Sequence, residues 1–440
     1  MDHAITFPRI RWEDGRAGLA QGDRLVGTAI VASIATMPLV RPHLAGVFAP
    51  ADVGLAFAVV TTLLWLGTRR HHLRFPLAVP MGLMAVAGAF AGLVGAYPGI
   101  ALIAIVQDLT LFAWFLAMAN ACRSPALLDV IVKGWIWSSV VWAGLLLAAV
   151  GLGLTTIAGQ AEAGGRPDFT FDSPNQAGAY FAVSLMLVLG ARFPPRRATR
   201  ILAAGVLGAA LILTSSNAAL LGTIGALVLV GVLRARRGPA GVVGATVATV
   251  VALGVVVGAV FAFVRMDLTG DATRSEIPVI KKTVGRADRS REGRLSTLGE
   301  LYGIYLDGNL LGLGAAGTQQ TLIDRGSPDA KSAHNDHVAV IVERGIIGIV
   351  GFIALLMSLA WIAASILGPL RRSYARVLPR PSFLVGGLVL ILFASFTHEV
   401  LHFRFVWALL SVIVAVHLWA RPRDRRKTNR LQAGGEEVRA

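Results

Sequence analysis

Residues 345–367 read Gly-Ile-Ile-Gly-Ile-Val-Gly-Phe-Ile-Ala-Leu-Leu-Met-Ser-Leu-Ala-Trp-Ile-Ala-Ala-Ser-Ile-Leu and contain no charged side chain. A second uncharged run extends from Ala240 to Val264. Each exceeds the roughly 20 residues that a helix needs to cross the hydrocarbon core of a bilayer. The chain of 440 residues is 55% hydrophobic and 15% charged, whereas soluble proteins carry about 25% charged residues. These features predict an all-α polytopic membrane protein.

Apolar segments divide the chain into about twelve predicted spans. Their approximate limits are 24–40, 51–67, 76–94, 100–120, 133–158, 175–191, 199–214, 217–233, 240–264, 338–367, 382–400 and 404–420. We therefore expect an N-terminal segment at 1–23, a transmembrane domain at 24–420 and a basic tail at 421–440. A long hydrophilic loop at 265–335 interrupts the domain.

Lysine and arginine are unevenly distributed between the segments that join the spans. Most of the 41 basic residues lie in alternate segments, whereas the short loops on the other side hold only Arg41, Arg166 and Arg404. Because short cytoplasmic loops are enriched in Lys and Arg, both termini are predicted to be cytoplasmic and the 265–335 loop extracytoplasmic. The same rule explains the net charge of +16 without a nucleic-acid partner. The single Cys122 excludes an intrachain disulfide and a multi-cysteine metal site.

The long loop contains the residue types that suit phosphate chemistry. It reads Gly293-Arg294-Leu-Ser-Thr, then Leu310-Leu-Gly-Leu-Gly-Ala-Ala-Gly317, then Ser332-Ala-His334-Asn335, and Glu343-Arg-Gly345 follows at the start of a helix. Guanidinium offers a bidentate fork to phosphate, and imidazole can accept a proton near neutral pH. The alternative is a solvated basic loop with a histidine capping the next helix. Apolar residues at helical spacing over 295–306 also predict a helix that lies on the membrane surface or caps the spans, and they are Leu295, Leu298, Leu301, Tyr302 and Tyr305.

This order of motifs resembles the O-antigen ligase and lipid-linked polysaccharide polymerase superfamily. In that superfamily, an Arg in a Gly-Arg context and a His in a His-Asn pair flank a Leu-Leu-Gly-x-Gly run, as Arg294 and His334 do here. The chain departs from the pattern twice. Leu298 stands where the family usually has Trp, and Thr214-Ser-Ser-Asn217 stands where it tends to have Ser-Arg. Asn217 cannot supply a cation, which puts one phosphate contact of the family in doubt.

A second element reads Gly165-Arg166-Pro-Asp-Phe-Thr-Phe-Asp-Ser-Pro174-Asn175. It resembles the superfamily's Arg before Phe-x-x-Pro-Asn at the outer end of a span, which implies that Arg166 and Asn175 join Arg294 in binding the donor pyrophosphate. The alternative for Pro174-Asn175 is a plain helix start, with the Asn175 side chain capping free N–H groups.

Other polar residues are accessory candidates on the same predicted side. If the turn between the last two spans is helical, His398 and His402 share a face beside Glu399, which permits a zinc site, an acceptor-side role or a simple interfacial role. Arg404 belongs to this group, and His337 follows His334 at a similar ligand spacing. Asp108 lies roughly 13 Å along its span at 1.5 Å per residue, where it is either functional or an interhelical hydrogen-bonding group.

The resemblance implies a GT-C-like glycosyltransferase without metal or other cofactor. Its donor would be a glycan on a polyprenyl pyrophosphate, and its acceptor a hydroxyl of a glycan, lipid or protein. His334 and Arg294 would be the catalytic residues, at the outer face of a bacterial plasma membrane. A transporter or flippase of lipid-linked sugars is the main alternative, and a receptor or scaffold is a third. The polar candidates concentrate on one side, whereas a transporter would carry charges through several spans. The sequence does not separate ligase from polymerase.

Overall fold

The computed structural model describes residues 21–41, 49–159, 165–235, 299–306, 310–327, 330 and 333–421. These residues form helices and turns, with no β-strand among them. The helices are α1 (Gln21–Thr36), α2 (Pro50–Thr68), α3 (Ala78–Val94), α4 (Pro98–Ala121), α5 (Pro125–Gly151), α6 (Pro174–Gly190), α7 (Arg197–Leu213), α8 (Asn217–Ala235), α9 (Thr318–Asp324), α10 (Asp336–Ile366), α11 (Arg372–Val377), α12 (Ser382–Ser395) and α13 (Arg404–Trp419). Residues 299–306 are also helical, and Val400–His402 forms a 3₁₀ turn.

Each predicted span except 240–264 coincides with one of these helices, and 240–264 lies outside the described residues. Five helices, namely α2, α4, α5, α8 and α10, are long and apolar enough to cross a membrane. Helices α3, α12 and α13 are shorter and apolar. The helical, polytopic class is therefore confirmed for the described residues, whereas the count of twelve spans and the GT-C-like arrangement stay predictions.

The start of α5 was predicted wrongly. The helix begins at Pro125, ahead of the expected start near residue 133, because Ser124 caps it and Pro125 occupies its first position. Lys133 therefore lies within the helix, where it pairs with Asp129 one turn earlier.

Contacts between helix termini divide the described bundle into two ends. At the basic end, the Arg192 amide donates to the Val377 carbonyl at 2.9 Å, and the Tyr374 hydroxyl donates to the Arg123 carbonyl at 2.6 Å. At the motif end, which carries the 165–173, 310–327, 333–335 and 396–403 segments, the Val40 amide donates to the Thr170 carbonyl at 3.0 Å. The alternation expected from the charges is thus present, and the membrane side that each end faces stays a prediction.

Large aromatic residues fill the core between the two ends. The indole of Trp114 donates to the Ser33 hydroxyl at 3.1 Å, and that of Trp135 donates to the Ser184 hydroxyl at 3.0 Å. Both tryptophans are fully buried. An indole N–H needs such a partner where water is excluded, so these bonds fix the register of α1 against α4 and of α5 against α6.

Candidate functional site

Helix α10 is broken near its first third at Gly345. The φ and ψ angles of this glycine are 57° and −159°, so residues on either side form two separate helical segments. A side chain here would also collide, because a Cβ atom would lie 2.2 Å from the Leu310 carbonyl oxygen. The sequence placed a helix start at Glu343, whereas the helix begins at Asp336 and bends two residues after Glu343. Only glycine combines this left-handed backbone with this close approach.

The glycine-rich run fills the break. The amides of Leu313 and Gly314 donate to the carbonyls of Val342 and Glu343 at 2.9 and 3.0 Å. In return, the Ile346 amide donates to the Leu310 carbonyl at 3.0 Å. Backbone groups freed by a broken helix must find other partners inside a membrane protein. Residues 310–317 supply these partners, which gives a physical reason why a glycine-rich run precedes this helix.

Glu343 anchors the end of the same run. Its buried carboxylate accepts hydrogen bonds from the Ala316 amide at 2.9 Å and from the Thr318 hydroxyl at 2.7 Å. Gly312 closes the other end, with a φ of 94° and so little space that a Cβ would lie 2.5 Å from the Glu343 carbonyl oxygen. The loop therefore docks as a fixed element on α10.

Arg344, next to the break in α10, is the partner of the buried Asp108. Its guanidinium pairs with the Asp108 carboxylate and donates to the Met84 carbonyl at 3.1 Å. Arg344 and Asp108 are 7% and 9% exposed. The interhelical alternative for Asp108 is therefore present in the structure as an ion pair that joins α4 to α10. A charge buried in a span requires such a partner.

His402 extends this ion pair towards the surface. Its Nδ1 lies 3.7 Å from Oδ1 of Asp108, and its Nε2 lies 3.8 Å from Oε2 of Glu399. Burial opposes the positive charge, but Asp108, Glu399, Asp336 and Glu343 together raise the pKa of His402 above its ordinary value. When protonated, the imidazole links two carboxylates that would otherwise repel each other.

The cavity beside this cluster is too small for a sugar. Its volume is about 20 Å³, which is room for about one water molecule. Met84, Asp336, Arg344, Leu355 and Trp407 are among the residues that line it. The buried cluster therefore positions helices rather than receiving a glycan.

His334 lies at the point where the long loop meets α10. Its φ is 49°, a left-handed conformation that is uncommon outside glycine and more frequent for histidine, asparagine and aspartate. The backbone N–H of His334 donates to Oε1 of Glu399 at 3.0 Å. The rings of His334 and His398 pack edge to face with centroids 6.3 Å apart. The structure thus brings together two motifs that are more than sixty residues apart in the sequence.

Asn335 and Asp336 hold this junction in place. The Asn335 side chain caps α10, accepting from the His337 amide at 2.9 Å, and donates to the Phe396 carbonyl at 3.0 Å. The Asp336 carboxylate accepts from the Val400 amide at 3.0 Å. Two successive polar residues therefore tie the start of α10 to the turn before α13, so His334 is held from both sides.

His337 has a different environment from His334. Its ring stacks on Phe396 with centroids 4.2 Å apart, and its Nε2 lies 3.1 Å from the Ser395 hydroxyl. The ring of Phe352 packs edge to face with that of His337, with centroids 5.1 Å apart. His337 therefore packs between helices, which makes it a suitable control for His334.

Arg166 and Asn175 contact each other at the motif end. Nη2 of Arg166 donates to Oδ1 of Asn175 at 2.9 Å, and Nε donates to the Thr214 carbonyl at 3.1 Å. Helix α6 begins at Pro174, as the alternative of a helix start predicted, but its N-cap is Ser173 and not Asn175, and the Ser173 hydroxyl accepts from the Gln176 amide at 3.2 Å. Asn175 orients the arginine instead. The arginine-containing element and the divergent Thr214–Asn217 segment are therefore neighbours.

One expectation about the turn before α13 needs correction. Residues 396–399 form turns and only Val400–His402 is a short 3₁₀ helix, so His398 and His402 do not share an α-helical face. They contact different partners, His334 and Asp108 respectively. Arg404 binds Asp52 through Nε at 2.9 Å and Nη2 at 2.6 Å, which joins the starts of α13 and α2.

Arg294 lies outside the described residues, as do Leu295 and Leu298. The helix predicted over 295–306 is described from residue 299, and it covers the start of α10. Its Leu301 and Ile304 are buried against Leu322 and Val342, whereas Tyr302, expected on the apolar face, is 62% exposed. The observed inward face is therefore rotated slightly from the predicted one.

Three buried residues that hold the site together, Glu343, Arg344 and Asp336, have no role that the sequence alone predicts. One signal was available, because Arg344 and Asp108 are both charges within apolar segments and each needs an opposite partner there. Asp336 binds a backbone amide 64 residues away. No feature of the sequence predicts this contact.

A family model described as O-antigen ligase matches residues 202–353. The match extends from α7 through the long loop and the glycine-rich run to the middle of α10, so it includes His334 and the Gly345 break. A search of curated proteins found no match. The match and the apolar helices together indicate a multi-pass membrane protein of the ligase and polymerase type. Residues 202–353 are therefore similar to the O-antigen ligase family, as the order of motifs in the sequence predicts.

Proposed function

We propose that this protein transfers a glycan from a polyprenyl-pyrophosphate carrier to an acceptor hydroxyl at the outer face of the bacterial plasma membrane. The observation that carries the proposal is the strained His334 at the start of α10, with its amide bound to Glu399 and its ring against His398. Backbone strain at a residue held by several contacts supports a functional role. The O-antigen ligase match over this segment supports the reaction class.

The first chemical requirement is to stabilise the leaving pyrophosphate. As the acceptor oxygen bonds to the anomeric carbon, the bond from that carbon to the phosphate oxygen breaks and negative charge grows on the pyrophosphate. Arginines aimed at this charge lower the barrier. We assign this role to Arg294 and Arg166. The contact of Arg166 with Asn175 supports the assignment, because it fixes the orientation of the guanidinium at 2.9 Å.

The second requirement is to activate the acceptor hydroxyl. A general base contributes about 10²–10⁴-fold to the rate, and we assign proton removal to the imidazole of His334. Glu399 and His398 act as positioning residues through their contacts with His334. Attack opposite the leaving group inverts the anomeric centre, and no step in this scheme uses a metal.

Analysis of a deletion strain tests the function and separates its two forms. Lipid-linked oligosaccharide and surface polysaccharide are compared between the deletion strain, the strain complemented with the wild-type gene, and one complemented with Arg166→Ala. Accumulated single repeats on the carrier lipid would indicate a polymerase, and accumulated long chains a ligase. Arg166→Ala should reproduce the deletion pattern at wild-type protein levels. An unchanged glycan profile in the deletion strain would refute the proposal.

Glycan transfer by purified protein separates the enzyme from a transporter. Detergent-solubilised full-length protein is incubated with lipid-linked donor and acceptor, without a membrane potential or a second compartment. The proposal predicts a new glycosidic product and free polyprenyl pyrophosphate. Movement of donor across liposomes without product would favour the transporter.

Cysteine labelling tests which side the motif end faces. Ser290→Cys and Ser373→Cys are introduced singly in a Cys122→Ser background, since Cys122 is the single cysteine and is buried. An impermeant maleimide should label residue 290 in spheroplasts and residue 373, at the basic end, only after permeabilisation. The reverse pattern would contradict the outer-face assignment.

A further inference from the structure

The basic end carries an open depression that the proposed reaction does not use. It lies between the α6–α7 turn and the segment from α11 to α12, and its volume is about 450 Å³. Its lining residues are Arg192, Arg200, Arg372, Ala375, Arg376, Pro379 and Arg380. Five arginines from two separate segments therefore surround one concavity.

Backbone contacts hold the two segments together. The Arg380 amide and guanidinium donate to the carbonyls of Gly190 and Leu189 at 3.3 and 3.1 Å. On the opposite wall, the Arg200 guanidinium donates to the Pro194 carbonyl at 2.8 Å. The two walls of the depression are thus held together by the fold, and the exposed side chains of Arg192, Arg372 and Arg376 line it.

The positive charge of this depression is not balanced within the described part of the chain. No carboxylate of those residues lies within salt-bridge distance of its five arginines. Burial, followed by the charges of Arg200 and Arg234, lowers the pKa of Arg380. Cations held this close without acids favour a multivalent or phosphate-bearing anion.

The adjoining surface of α7 is apolar and exposed. Ile201 and Leu202, directly after Arg200, are 62% and 67% exposed. In a membrane, exposed apolar side chains at the start of α7 meet acyl chains, while the arginines of the depression meet headgroups. A soluble anion would use only the arginines, whereas a phospholipid would use both surfaces.

We propose that the arginine depression binds the phosphate headgroup of an anionic phospholipid, with an acyl chain along Ile201 and Leu202. Topological arginines can lie anywhere in a cytoplasmic loop, as the exposed Arg74, Arg196 and Arg197 do. A lipid site instead requires arginines from both segments around the same headgroup. The site is separate from the motif end.

Native mass spectrometry of the full-length protein tests the proposal. Dioleoylphosphatidylglycerol is titrated against the wild type, against Arg192→Gln/Arg372→Gln/Arg376→Gln, and against the charge-matched control Arg74→Gln/Arg196→Gln/Arg197→Gln. The affinity of the first triple variant should fall at least about tenfold, given the attraction of each surface arginine for anionic lipid. The control should change less than about twofold, because its arginines do not line the depression. If the triple variant does not fold, Arg376→Gln is compared with Arg196→Gln and the same order is expected.

Three results would overturn the lipid site. Equal loss in both triple variants would mean that only the diffuse charge of the basic end attracts lipid. Wild-type protein that binds dioleoylphosphatidylcholine as tightly as the anionic lipid would exclude headgroup recognition. Displacement of the lipid by low concentrations of sodium pyrophosphate, with tighter binding of pyrophosphate, would assign the depression to a soluble anion.

Discussion

The two ends of the bundle are both rich in polar residues, but they use arginine differently. At the motif end, Arg344 is buried against Asp108 and Arg404 binds Asp52. At the basic end, Arg69 pairs with Asp23, but the arginines of the depression have no carboxylate nearby among the described residues. The comparison teaches that the partner, and not the residue type, decides whether an arginine fixes the fold or presents charge to a ligand.

The largest effect should follow from Gly345→Ala, which attacks the motif end at its bend. The added Cβ would lie 2.2 Å from the Leu310 carbonyl oxygen, so the glycine-rich run would have to leave α10. We expect the free energy of unfolding to fall by about 5 kcal/mol or more, the range of severe strain effects. Denaturant unfolding in micelles measures it. Gly82→Ala, where a Cβ meets nothing within 4 Å, is the control, and equal stability of the two variants would disprove the account of the bend.

Arg344→Met should have the next largest effect, because it leaves the buried Asp108 carboxylate without its guanidinium. Breaking a buried ion pair costs about 3–5 kcal/mol. The double variant Arg344→Met/Asp108→Leu should recover part of the loss, since no unpaired charge then remains. The same unfolding measurement tests both variants. A double variant as unstable as the sum of the single variants would show that the two residues do not act as a pair.

The pH dependence of the free energy of unfolding should test whether His402 stabilises the fold through its positive charge. Nearby carboxylates raise its pKa in the folded protein, despite burial, above the value of 6.5 expected when unfolded. Its stabilising contribution is therefore complete below the unfolded pKa and is lost as the pH rises through the folded pKa. The unfolding free energy should decrease from near neutral pH upward, and His402→Gln should flatten the decrease. Exposed His72→Gln is the control, and parallel curves for the wild type and His402→Gln would contradict the assignment.

The smallest effect is expected for Lys133→Gln near the basic end. Lys133 and Asp129 are 43% and 36% exposed, so solvent screens their attraction. We expect a loss of about 0.5 kcal/mol or less, as for other exposed pairs one helical turn apart. A loss close to that of Arg344→Met would mean that burial does not separate the two kinds of pair.

Periodicity and charge were enough to predict the helices and their alternation. Long uncharged runs indicate spans because a helix needs a minimum number of apolar residues to cross the bilayer. Arginine indicates one end of the bundle because short cytoplasmic loops are enriched in Lys and Arg. The partners of Asp108 and Asn175 could not be predicted in the same way. The pairing of Asp108 depends on how helices pack, because Arg344 is more than 200 residues away. The pairing of Asn175 with Arg166, nine residues earlier, depends on the fold of the segment before α6.

The bend at Gly345 shows another limit of the sequence. A glycine in an apolar helix is compatible with a straight span, and only the docking of residues 310–317 makes the break favourable. The separation of His398 from His402 has a similar origin. Their spacing fits a helix, but Asp336 binds the amides of Val400 and Leu401, which holds that segment as a turn.

The most direct test of the central claim is the single-turnover rate of glycan transfer in His334→Ala and in His337→Ala. If the junction at the start of α10 is catalytic, His334→Ala should lower the chemical rate at least about 10²-fold with donor binding retained. His337→Ala, which removes a ring packed between Phe396 and Phe352, should keep most of the rate in protein that remains folded. A wild-type rate for His334→Ala at saturating donor would contradict the claim, and loss of the rate only in His337→Ala would move the catalytic role to that histidine.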